Sequence, residues 1–167
     1  MLRVPPRHQL AIAVACVVLN LAVGKIASLL SLPLPLDTIG SVTGAALLPP
    51  VLAIAVGAIT AALGWAVISP VYPDYIVTQI SVVIAALAVM RLVGFDRLWK
   101  AVIVGASVAV VAAMASAIAA IDSVPVGSGR NIWNAVTIGG LPMEIADKLI
   151  VALVAWALVR QRLSGSA

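Results

Sequence analysis

The chain alternates long apolar runs with short polar or proline-rich breaks. The first run covers about 10–30 and is interrupted by Asn20 and Lys25. A loop rich in proline follows, Leu32-Pro33-Leu34-Pro35-Leu36-Asp37, then a short apolar piece over 38–48 and Pro49-Pro50. Further runs occupy 51–68, 75–90, 101–121 and 142–159, separated by the turn at 69–74, a basic connection at 91–100, and a Gly/Ser/Asn-rich loop at 122–141. The pattern predicts an all-α integral membrane protein with six transmembrane helices. They form a single membrane domain over 1–167.

Composition sharpens this reading. Hydrophobic residues make up 63% of the 167 and charged residues only 10%, against about 25% charged in soluble domains. Six spans of about 20 residues with short connections use up the length. No room remains for a soluble ATPase, so energy for any transport must come from a partner or an ion gradient. Arg3, Arg7 and the run after them imitate a secretory signal. The run continues for about twenty residues without a convincing cleavage site, which predicts a retained first span.

The second segment is the doubtful one. About eleven residues at 1.5 Å each reach roughly 17 Å, against a hydrocarbon core of about 30 Å. It either merges with the third or crosses as a short helix shielded by its neighbours. Basic residues decide between these. Arg3 and Arg7, then Arg91, Arg97 and Lys100, then Arg160 and Arg162 should all face the cytoplasm. An even number of crossings between clusters makes segments two and three separate, with both termini cytoplasmic in a plasma-membrane protein. Asp37, Asp74 and Asp122 then fall at the outer face, where Arg130 is the lone basic loop residue, and Glu144 sits just inside the last span. Asp37 is expected at the mouth of the first hairpin.

Chemistry-bearing patterns are few. The net charge of +4 is scattered, which reads as topology signals rather than a nucleic-acid surface. A single Cys16 excludes a disulfide or thiolate site, and a single His8 in the basic N-terminal segment excludes a His-centred triad or intramembrane zinc site. Gly127-Ser128-Gly129 lacks the lysine and preceding strand of a phosphate loop. No enzyme activity or cofactor is expected, and no internal repeat supports an inverted-repeat carrier.

The polar groups inside the runs are more informative. Glu144 and Lys148 stand at i and i+4 and should pair. Asp147 is left without a local partner, and Lys25 at similar depth is a plausible one; alternatively Lys25 snorkels as an interfacial anchor. Trp133 and Asn134, with Asn131 and Thr137, read either as an interfacial belt or as an aromatic platform with amides for a flat heterocycle. Thr78, Gln79 and Ser81 would line the same cavity or bond neighbouring helices. Trp65 reads as a belt residue, and Tyr72 and Tyr75 as belt or lid. Ala11 and Ala15 make a small-xxx-small step where another helix could approach closely.

Six short spans, the loop Leu36-Asp37-Thr38-Ile39-Gly40 after the first, and Glu144 with Ala146-Asp147-Lys148 opening the last resemble the substrate-binding S components of energy-coupling factor (ECF) transporters. The resemblance covers nearly the whole chain. It implies capture of a vitamin or vitamin-precursor-like micronutrient near the outer face by the first loop and spans four to six. The binding candidates are then Asp37, Thr38, Gln79, Trp133, Asn134, Glu144 and Asp147. It further implies docking of span one, through Ala11 and Ala15, onto a transmembrane T subunit that carries two ATPases. Met1-Leu2-Arg3 lacks the N-terminal histidine segment of the cobalt and nickel members, which argues against metal uptake. An acidic outer face favours a neutral or cationic ligand. Rival readings are a ligand-sensing or scaffold module without transport, and a small channel or proton-coupled carrier with Asp147 and Lys25 as relay.

Overall fold

A computed structural model describes residues 5–69, 75–119 and 140–164. Regular structure among the described residues is helical: α1 (Pro6–Leu29), α2 (Ile39–Leu47), α3 (Pro50–Val67), α4 (Ile76–Val93), α5 (Leu98–Ala119) and α6 (Leu141–Ser164). Pro6 and Pro50 each open a helix, where a missing N–H costs nothing because that donor would be unpaired anyway. α1 begins before its apolar run and α6 continues past Val159. The polar residues flanking both runs are good helix formers, so hydropathy marks only the apolar part of each helix.

Between α2 and α3 the chain leaves the helical region at Leu48 (φ −106°, ψ 158°), as a residue preceding proline must. The two segments are therefore separate helices. Their register against α1 fixes their directions. Asn20 meets Thr60, and Gly24 faces Ile68 just beyond the end of α3, so α1 and α3 run parallel. Asp37 lies against Gly24, Gly40 against Cys16 and Asn20, and Gly44 near Cys16, so α2 runs antiparallel to both. Segment 30–38 thus turns back into the bundle. α2 starts beside Asn20, nine residues and roughly 13 Å short of the end of α1.

α5 and α6 form an antiparallel pair in which Ser116 reaches Glu144 and Gly105 packs against the backbone at Lys148 and Leu149. Following the directions through, the start of α1, the α4–α5 connection and the end of α6 share one end of the bundle. That end carries Arg7, Arg91, Arg97, Lys100, Arg160 and Arg162. The re-entrant segment marks the opposite, loop end.

α1, α3, α4 and α5 are long and apolar enough to cross a membrane. Val14, Val18, Ile59, Leu63, Ile84, Val110 and Met114 are exposed on these helices, more apolar surface than a water-soluble chain leaves uncovered. The protein is membrane-embedded. α6 is as long as α1, but Glu144, Asp147 and Lys148 interrupt its apolar run. Inside, Ala45, Ala53, Ala61, Ala86 and Ala112 are fully buried, and small side chains of this kind let helix backbones approach closely. The polar residues lie inward, where they must find one another.

Candidate functional site

The site is built around the re-entrant segment. Two of its residues with side chains, Ser31 and Leu36, adopt left-handed backbone (φ 51° and 50°), each at a cost of about 1–2 kcal/mol. The conformation at Leu36 is held from across the bundle, because its N–H donates to Asp147 Oδ1 at 2.8 Å. The turn directs the next residue, Asp37, under the loop. Asp37 is buried, and its Oδ2 accepts a hydrogen bond from Gln79 Nε2 at 3.0 Å. It lies beneath the prolines rather than at the mouth of the hairpin, because the segment folds inward instead of capping the bundle.

A second layer stands on α6. Lys148 is buried and pairs with Asp147 and, one turn back, with Glu144 Oε2 at 3.3 Å. Ser116 Oγ donates to Glu144 Oε1 at 3.3 Å. The Asp37 carboxylate also acts electrostatically on the Lys148 ammonium. Lys148 is thus the ammonium on which Glu144 and Asp147 converge, and Lys25 stands at the same end of the bundle on α1. In a low-dielectric interior such charges persist only where they are paired and hydrogen-bonded.

The Glu144–Lys148 pair is the one expected from their spacing. The expected Asp147–Lys25 pair is not formed. Neighbours at i and i+1 point away from each other on a helix, but the flexible lysine stem lets the Lys148 ammonium bend back onto Asp147. Lys25 is half-buried and makes no ion pair among the described residues.

A cavity of about 210 Å³ opens beside Asp37, between the last turns of α1 (Gly24, Ala27, Ser28), the loop prolines Pro33 and Pro35, and Ile68. Asp37 is the sole charged group on its lining among the described residues. Thr38, adjacent to Asp37, and Thr78, adjacent to Gln79, are buried with hydroxyls that have no hydrogen-bond partner among the described residues. Each such hydroxyl can both donate and accept. No group of three His, Cys, Asp or Glu side chains among the described residues is arranged to hold a metal.

The structure thus brings Asp37, Thr38, Gln79, Glu144 and Asp147 to one half of the bundle. Trp133 and Asn134 lie outside the described residues, as do Asn131, Thr137, Tyr72 and Asp74. Trp65 stands on the outer surface of α3, where a belt residue belongs. Ala11 and Ala15 are exposed on α1, in a stripe with Val14 and Val18.

Three contributors escaped the sequence reading. One is the Leu36 amide, and another is Ser116. The third is Asn20, whose Nδ2 donates to Ser41 Oγ (2.9 Å) and Thr60 Oγ1 (3.0 Å) while its Oδ1 accepts the Gly40 N–H (2.6 Å). The signal for Asn20 was present: a polar residue within an apolar run must find partners, and Ser41 and Thr60 are also polar residues within runs. No protein-family model, curated protein or solved structure matches the chain.

Proposed function

We propose that this protein is the substrate-binding S component of an ECF-type importer in the plasma membrane. Six crossings put both termini in the cytoplasm, and the cavity beside Asp37 receives a micronutrient from the outer face. The observation that carries the reading is the buried Asp37 carboxylate on the wall of an otherwise mostly apolar pocket, held by Gln79 beneath a re-entrant loop. Apolar pockets with a few placed polar groups are the usual form of a small-ligand site.

The Asp37 carboxylate on the cavity wall favours a cationic ligand or one rich in hydrogen-bond donors. A volume of about 210 Å³, below the ~300 Å³ at which drug-sized sites begin, favours a single heterocycle such as an aminopyrimidine over a two-ring vitamin. Thr38 and Thr78, next in sequence to Asp37 and Gln79, are buried with hydroxyls that have no hydrogen-bond partner among the described residues. The exposed Ala11–Ala15 stripe suits docking onto a T subunit, and the ATPases that such a subunit carries supply the energy.

Native mass spectrometry of the protein extracted gently from its own membranes tests this. Recovery of a T subunit, ATPases or a bound small molecule supports the proposal. Asp37→Asn should then lower retention of that molecule at least tenfold, equivalent to about 1.4 kcal/mol. A chain recovered without partners or ligand, and showing no uptake of candidate micronutrients in cells, would overturn it in favour of a sensor or scaffold.

A further inference from the structure

At the basic end of the bundle lies a larger concavity, of about 740 Å³, which the proposed uptake site does not involve. Phe95 and Leu98 of the α4–α5 connection and Trp156 of α6 form its apolar part, and Arg97 and Arg160 stand at its rim with Asp96. The charges are not self-cancelling. Asp96 is engaged by Lys100 Nζ at 2.6 Å and meets Arg97 only loosely, at 3.8 Å. Arg160 has no carboxylate partner among the described residues; its guanidinium rests over the Trp156 ring, 5.2 Å from the centroid. That contact restrains the guanidinium without using its hydrogen-bond donors.

We infer that this groove binds the headgroup of an anionic phospholipid from the leaflet at the basic end. Arg97 and Arg160 offer forked donors that match phosphate oxygens. Leu98, itself on the groove lining, and Val102, Val154 and Leu158 further along α5 and α6 are exposed apolar side chains that would lie along acyl chains. Trp99 and Trp156, each with a cation over its ring, have the chemistry of side chains that settle at headgroup level. Basic pockets between membrane helices are the usual seats for such lipids, and the anionic surface of the cytoplasmic leaflet would populate this one.

Native mass spectrometry in detergent, with equimolar phosphatidylglycerol and phosphatidylcholine added, tests the inference. The natural protein should retain phosphatidylglycerol at least fivefold over phosphatidylcholine. The double variant Arg97→Gln/Arg160→Gln should fall below twofold. Arg7→Gln, at the same end but outside the groove, should keep the full preference. Absence of preference in the natural protein, or its survival in the double variant, overturns the inference. Equal loss in Arg7→Gln would mean a diffuse field rather than a site, and displacement of the lipid by millimolar glycerol 3-phosphate would mean a site for soluble anions; both also overturn it. If the double variant cannot be purified, Arg97→Gln alone, whose side chain is exposed, should at least halve the preference.

Discussion

Asp147 of α6 accepts the backbone N–H of Leu36 at 2.8 Å across 111 positions of sequence. This bond ties the re-entrant loop to the last helix and offsets part of the cost of the left-handed Leu36. The same carboxylate pairs with Lys148, so one side chain holds both the loop and the buried ammonium. Asp147→Ala removes both partners and should cost about 3–5 kcal/mol, the usual penalty for breaking a buried ion pair. Asp147→Asn keeps an acceptor for Leu36 and should cost clearly less. Thermal unfolding in detergent measures the two; equal losses would mean that the Leu36 bond contributes little.

Asn20 is the corresponding node among α1, α2 and α3. Interhelical side-chain bonds in membranes average only about 0.6 kcal/mol, because the separated helices also find partners. The Gly40 N–H is different, being one of the unpaired donors at the start of α2. Orphaning a buried donor costs about 1–3 kcal/mol. Asn20→Leu should therefore destabilise by about 2–3 kcal/mol in the same unfolding measurement, whereas Thr60→Val, which removes a single side-chain partner, should stay under about 1 kcal/mol.

What could be read from the chain divides along physical lines. Hydropathy runs and prolines locate six helices, because apolar length and a missing N–H act locally. Glu144 and Lys148 could be paired from spacing, since i and i+4 neighbours on a helix need no tertiary information. The inward turn of 30–38 could not be read, because it depends on Asp147 reaching Leu36 from the far end of the chain. Asp37 was picked out as an unusual carboxylate, but its depth follows from that turn. Depth alone makes Lys25 a plausible partner for Asp147, and depth says nothing of which way a flexible lysine bends.

The Asp96–Lys100 bond gives a pH dependence with a definite sign. The hydrogen bond from Lys100 above all, with the neighbouring Lys100 and Arg97 charges, holds the Asp96 carboxyl below its ordinary 3.8. The stabilisation is therefore complete above 3.8 and is lost as pH falls through the lowered value. Its size is small, since Asp96 and Arg97 are solvated. The difference in melting temperature between the natural protein and Asp96→Asn should be constant from pH 7 to about 4 and shrink below it. A difference that shrinks already between pH 7 and 5 would assign the effect to another group.

Two glycines of α2, one turn apart, should respond in opposite ways to the same substitution. A Cβ on Gly40 would overlap the Cys16 carbonyl oxygen and lie 2.9 Å from Asn20 Oδ1. Backbone cannot yield as a flexible side chain does, so α1 and α2 would have to separate, stretching the bonds made by Asn20. Overpacking of this kind costs about 1–3 kcal/mol and occasionally more, and Gly40→Ala should fall at or above the top of that range. At Gly44 the nearest atoms to an added Cβ are Leu48 Cδ1 at 3.5 Å and Cys16 Sγ at 3.9 Å, ordinary packing distances. Gly44→Ala should be neutral or gain up to about 1 kcal/mol from alanine's better helix propensity. Unfolding of the two variants side by side decides the matter: similar stabilities would mean that α2 does not approach α1 closely at Gly40.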